Sequence, residues 1–103
     1  MIEIETLQQR LREFADERDW EKYHSPKNLV MALSVEVAEL QEHFQWLTAE
    51  ESLALDEETR DAVALEMADV LIYLVRMADR CGVELADAVR RKLVINAHKY
   101  PAD

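Results

Sequence analysis

Glycine occurs once in this chain and proline twice, so the turn punctuation that sheets and tight hairpins require is almost missing. The single cysteine, Cys81, cannot form an internal disulfide, and a reducing cytoplasm is the expected compartment. No run approaches the ~18 consecutive apolar residues of a membrane span. The start, MIEIETLQQR, has neither the basic residues nor the apolar stretch expected of a signal peptide. Lysine and arginine number 12 against 22 acids, and the net charge of −10 works against a nucleic-acid polymer as partner, because its phosphates are repelled before contact. A small phosphate ligand is not excluded, since divalent cations bridge clustered carboxylates and phosphate oxygens. Half the residues are hydrophobic, which excludes a disordered tail, and 103 residues suit one domain over 1–103.

What is present is helical patterning. Leu7, Leu11 and Phe14 form an i, i+4, i+7 stripe within a first helix from about Glu3 to Glu17, which ends before the irregular stretch RDWEKYHSPKN. Ser25 followed by Pro26 reads as an N-cap with proline at the first helical position, opening a second helix through LVMALSVEVAELQEHFQW. Thr48 with Glu51 has the spacing of a capping box for a short helical turn in the connector. Asp56 can cap a third helix running to Cys81, with Gly82 as its left-handed stop, and a fourth spans roughly Glu84 to His98 before Pro101. The expected fold is therefore all-α, a bundle of four to five helices.

The second and third helices are apolar around too much of their circumference for surface helices. Leu29, Leu33, Val37, Leu40 and Phe44 share one face of the second, while Met31, Val35 and Ala38 form another stripe. The third repeats this, with Val63, Val70, Leu74 and Met77 on one side and Leu65, Ala68, Ile72 and Val75 on another. A monomer of this size covers one stripe per helix more easily than two, so the second stripes are expected to meet another subunit.

Glu36 and Glu39 lie three residues apart on the second helix, and Glu66 and Asp69 three apart on the third. Residues at i and i+3 are neighbours on a helix surface, so each pair can point at one place. Both pairs flank an apolar stripe, Glu36 beside Leu40 and Glu66 beside Val70. If those stripes pack together, four carboxylates approach one seam, where they repel unless protons or cations compensate them. Oxygen-only ligands favour magnesium or manganese over zinc. Acids on helices are ordinarily solvated, and one such pair alone means little. Two pairs, on the two most hydrophobic helices and both at the core's edge, point to a metal site.

The segments SVEVAELQEHFQW and EMADVLIYL together resemble the ExxE…ExxD signature of the MazG-like all-α nucleoside triphosphate pyrophosphohydrolases, closest to their dCTP pyrophosphatase branch. The resemblance extends through EFADERDWEKYHSPKN and KLVINAHKYP, and so over nearly the whole chain. It implies a homo-oligomeric helical bundle, dimeric at minimum and tetrameric in the dCTP-hydrolysing branch, that uses magnesium to split a triphosphate into monophosphate and pyrophosphate. By motif match, Glu36, Glu39, Glu66 and Asp69 would hold the metal. The MazG proper group has a further Glu immediately before the first acid, where this chain has Val35; the departure favours the dCTP-like branch over a broad substrate range.

Other residues fit such a site. Trp20 and Trp46 flank the second helix, each either a lid on the core or a stacking face for a nucleobase, and the resemblance favours stacking. Tyr73, one turn beyond Asp69, can offer its hydroxyl to phosphate or sugar, or fill the core. His24 and Asn28 surround the N-terminus of the second helix, where backbone amides attract anions; as isolated residues they suit capping or surface roles. Lys92, Asn96 and Lys99 share one face of the last helix. Basic residues there suit the helix dipole, but in an acidic protein they also offset triphosphate charge and stabilise leaving pyrophosphate. The family segment supports Lys92 and Asn96 over Lys99. His43 and His98 read as surface residues.

The expected activity is magnesium-dependent cleavage of dCTP or a modified dCTP, removing unwanted nucleotides from the precursor pool. Glu39, with Glu36 beside it, would orient the attacking water or accept its proton, and Lys92 would stabilise the leaving group. The alternative is a non-catalytic helical interaction protein that uses its second stripes to bind a partner and needs neither metal nor nucleotide.

Overall fold

The computed structural model describes residues 2–102. Five α-helices follow in chain order: α1 (Ile4–Glu17), α2 (Pro26–Glu42), α3 (Ala49–Ser52), α4 (Glu57–Cys81) and α5 (Leu85–Lys99), with a 3-10 turn over Glu21–Tyr23. There is no strand among the described residues. The helix boundaries follow local chemistry. Ser25 Oγ accepts from the Asn28 backbone N–H with Pro26 at the first helical position, Thr48 and Glu51 form a reciprocal capping box, and Asp56 accepts from the Thr59 N–H at 2.7 Å. Gly82 ends α4 at φ +68°, with the Val83 N–H reaching back to the Ala78 carbonyl. Asp19 plays the same part after α1 at φ +56°, the Trp20 N–H bonding the Ala15 carbonyl. An aspartate tolerates that left-handed conformation better than most residues.

One boundary departs from the sequence reading. α2 ends at Glu42, and residues 43–47 form turns instead of continuing the helix through Trp46. The backbone tightens there to i→i−3 bonds, Phe44 to Gln41 and Leu47 to Phe44, which turns the chain toward the Thr48 cap.

The packing centres on α4, against which α2 lies along its length and α1 across part of it. Leu29, Val63, Val75, Ala78 and Ala15 are the buried apolar residues among those described, Leu29 and Val75 being the largest that are sealed completely. The second stripe of α2 is exposed at Met31 and Val35, as expected; on α4 Leu65 and Ile72 are exposed, but Val75 is sealed within the subunit. Val37 and Leu74, expected to face the core, are themselves more than one-third exposed. Along α5, Val89, Leu93, Val94 and Ile95 all face open space. The radius of gyration is 16.5 Å, against about 13 Å for a compact domain of this length. So thin a core makes each buried side chain matter. Leu29→Ala is expected to lower unfolding free energy by about 2–5 kcal/mol in denaturant titrations. Leu53→Ala, at 88% exposure, should stay within about 0.5 kcal/mol of wild type.

Candidate metal and nucleotide site

The α2–α4 seam carries both the core and the acids. Leu29 and Val63 close it while Glu36 and Glu39 from α2 meet Glu66 from α4, with a carboxylate oxygen from each lying within 4.8 Å of the others. Glu36 Oε2 and Glu66 Oε2 are buried with no hydrogen-bond partner. Buried oxygens without donors are costly, and several carboxylates around them make the place suited to a hard cation. Burial raises the Glu36 carboxyl first, followed by repulsion from Glu39, proton sharing with Glu39, repulsion from Asp69 and proton sharing with Glu66. Together these push its pKa from 4.5 to about 7. Asp69 lies one turn beyond Glu66 on α4 and links the acids to a neighbouring cavity.

That cavity, about 400 Å³, is walled by Leu11, Phe14 and Ala15 of α1, Trp20 and His24 of the α1–α2 connection, Leu29 of α2, and Asp69, Ile72, Tyr73 and Arg76 of α4. Its walls are mostly apolar, with a few polar groups converging, the usual composition of a small-molecule site. Trp20 packs edge-on to Phe14 at 5.5 Å between ring centres and lies 6.0 Å from His24. The connecting loop is fastened down. Arg80 donates to the His24 carbonyl and to Glu21, and the Asn28 side-chain amide donates to the Tyr23 carbonyl. A larger hollow, about 780 Å³, lies over Glu57, Glu58, Arg60, Asp61 and Ala64. Its lining comes from two turns of one helix, so it is a surface depression without converging chemistry.

The sequence model of the MazG-like family matches residues 31–103, a span that contains all four acids. This chain belongs to the MazG-like family. Human dCTP pyrophosphatase 1 is 48% identical to this MazG-like chain over 101 residues, covering 96% of this chain and 59% of the human protein. The bovine dCTP pyrophosphatase 1 is 46% identical over 100 residues, with 95% and 59% covered. The chain thus spans about three-fifths of the length of these relatives. A pyrophosphatase from Archaeoglobus fulgidus, solved by crystallography, superimposes with a TM-score of 0.90 at 45% identity, covering 99% of this chain and 95% of that one.

Within this MazG-like chain the expected site residues fall into two groups. Glu36, Glu39 and Glu66 come together, Asp69 adjoins them, and Trp20, His24 and Tyr73 line the cavity. Trp46 is 87% exposed beyond the end of α2, and Lys92 and Asn96 sit on the uncovered α5; none of the three lines the cavity. Asn28 is engaged in holding the loop. His43, read as a surface residue, is half-buried beside Leu47 and Leu55.

A group that sequence reasoning passed over is Arg76, 4% exposed. It donates from Nε to His24 Nδ1 at 3.1 Å and from Nη1 to Asp79 at 3.2 Å, while Arg12 of α1 grips Asp79 through two bonds of 2.7 and 3.1 Å. Those bonds hold the Asp79 carboxyl below its ordinary value, the Arg12 hydrogen bond being the largest cause. Burial, then the charges of Arg76 and Arg80, push the His24 imidazole down, so it is neutral at pH 7. The available signal was spacing: Arg76 interrupts an apolar run three residues after Tyr73 and seven after Asp69.

The raised Glu36 carboxyl sets a direction for stability. Between 4.5, its ordinary value, and about 7 the folded state holds a proton the unfolded chain has lost, so folding weakens as pH rises through that window. Asp79 and Asp56, both held below their ordinary values, act at lower pH and with the opposite sign; His24, its imidazole held below 6.5, opposes Glu36 within the window itself. In thermal melts of metal-free protein, the Tm of wild type minus that of Glu36→Gln should therefore fall from pH 5 toward about 7, a difference in which the His24 contribution cancels. A difference that stays flat or rises over this range would contradict the crowded-carboxylate picture.

Proposed function

We propose that this chain is a magnesium-dependent nucleoside triphosphate pyrophosphohydrolase acting on dCTP or a modified dCTP, with manganese as an alternative ion. The observation that carries the reading is the convergence of Glu36, Glu39 and Glu66 on one seam, with two donorless buried oxygens, beside an aromatic-walled cavity that Asp69 also lines. The mammalian relatives, dCTP pyrophosphatase 1 of human and cattle, suggest the substrate class.

Glu36, Glu39, Glu66 and Asp69 would hold the ion. Bound there, it supplies neutralisation of phosphate charge and a lowered pKa for a coordinated water. The chain's own part is binding and proton handling. Trp20 offers a face to the base, Tyr73 a hydroxyl toward the sugar or phosphates, and the neutral His24 a donor at the cavity's edge. Water adds across the bond between the α- and β-phosphates, giving monophosphate and pyrophosphate, and Glu39, with Glu36 beside it, orients that water or accepts its proton.

The working form in this reading is a homo-oligomer, at least a dimer, with a tetramer as the branch's form. The open subunit and the bare apolar faces of α2, α4 and α5 support it. Trp46, Lys92 and Asn96 then join a site only where another copy brings them, Trp46 against the base and Lys92 and Asn96 against the phosphates.

A panel of common deoxynucleoside and ribonucleoside triphosphates, assayed for pyrophosphate release with magnesium, tests this. dCTP or a 5-substituted dCTP should be the preferred substrate, and Glu36→Gln or Glu66→Gln should reduce turnover by more than about 100-fold, beyond the usual loss of an outer-shell partner. Light scattering on the same samples should give at least twice the 12.0 kDa chain mass. Full activity in both variants, or a folded monomer that turns over normally, would overturn the metal site or the assembly respectively.

A further inference from the structure

Arg76 is a buried cation in a cavity whose walls are largely apolar, and burial of a guanidinium demands partners. Two of its five N–H donors have them, Nε on His24 Nδ1 and Nη1 on Asp79. The remaining three have no protein acceptor among the described residues. Arg76 itself lines the cavity, and none of its side-chain atoms is among the sealed, unbonded ones of the described residues, so its unpaired donors can meet a ligand there. His24, accepting at Nδ1, carries its proton on Nε2 and is likewise a donor on that side.

The placement along α4 orders these groups. Glu66, Asp69, Tyr73 and Arg76 follow i, i+3, i+7, i+10 spacing on one helix face. Arg76 stands two turns past Asp69, about 10 Å along the axis, a separation that a nucleoside spans. With phosphates at the acids, the base falls at the guanidinium.

We propose that Arg76 is the base-reading residue of this cavity, its free donors pairing with the adjacent acceptors O2 and N3 of a cytosine ring. The proposal rests on the nucleotide reading above and goes further by naming the edge that is read. Uracil and thymine present N3–H at that place, a donor facing donors, and are disfavoured. The chemistry is that of arginine set bidentately on two neighbouring acceptors of a base. His24 and Asp79, the latter clamped by Arg12, fix the plane of the rigid fork. Arginine also binds phosphate readily, but here Asp79 shares its charge and the acids that suit the metal-bound phosphates lie two turns away.

The test compares wild type with Arg76→Lys and Arg76→Met. For each, kcat and KM are measured for dCTP and dUTP with magnesium, and inorganic tripolyphosphate is titrated as a competitive inhibitor. Wild type should favour dCTP, and the dCTP-to-dUTP ratio of kcat/KM should fall by about 5- to 150-fold in the variants. The change should sit mainly in KM, with tripolyphosphate inhibition unchanged. Should the Met variant fail to fold, Arg76→Lys, which keeps a cation beside Asp79, carries the measurement. An unchanged ratio in folded Arg76→Lys would overturn base reading. Equal weakening of dCTP, dUTP and tripolyphosphate would overturn it too, in favour of phosphate binding. Wild type inactive on every triphosphate would instead sink the nucleotide reading beneath it, a failure visible before any variant is compared.

Discussion

Like charges forced together inside a helix seam dictate the character of this subunit. Glu36, Glu39 and Glu66 bring carboxylate oxygens within 4.8 Å of one another, with Asp69 close enough to act on Glu36. Without a cation the relief is to hold a proton: burial first, then repulsion from Glu39 and Asp69, pushes the Glu36 carboxyl up to about 7. The two longest helices, α2 and α4, are rigid mounts that keep the acids from separating, and Leu29 and Val63 in the same seam supply the packing that opposes repulsion. The fold thus holds its acids in an arrangement that a bound ion would relax, which is what preorganisation of a metal site means physically.

The thinness of the core is the second feature to explain. Among the described residues five apolar side chains are buried and α5 is left uncovered, and apolar surface of that kind is rarely left wet. In the proposed homo-oligomer, assembly and completion of the site would be one event: the apolar stripes on α2, α4 and α5 would bring neighbours together, and Trp46, Lys92 and Asn96 would travel with them. The cavity behind Trp20 and His24 is built by one chain, its walls tied by Arg12–Asp79–Arg76 and by Arg80 to the loop.

Much of this was legible in the residues, and the limits have physical causes. Helix starts at Ser25–Pro26, Thr48 and Asp56 and the stop at Gly82 were readable because capping is local chemistry over four residues. The acid pairs were readable because i, i+3 spacing survives into structure. The end of α2 was misplaced because apolar Phe44 and Leu47 fit a helical period equally well when the chain turns. Val75 was assigned to the outer stripe yet is sealed within the subunit, since periodicity cannot say which of two apolar faces α1 and α2 will cover. Arg76 went unnoticed because its meaning lies in partners 52 and 3 residues away, His24 and Asp79, which spacing alone does not join.

The most direct test of the central claim is the proton count on metal binding. If Mg²⁺ enters the carboxylate cluster, it must displace the proton that Glu36 holds with a pKa of about 7. Calorimetric titrations of Mg²⁺ into the free protein, repeated in buffers of differing ionisation enthalpy, should show roughly one proton released at pH 6, about half at pH 7 and almost none at pH 8.5. Binding enthalpies independent of the buffer at pH 6 and 7, or binding preserved in Glu36→Gln with the same proton release, would contradict a metal site built on these four acids.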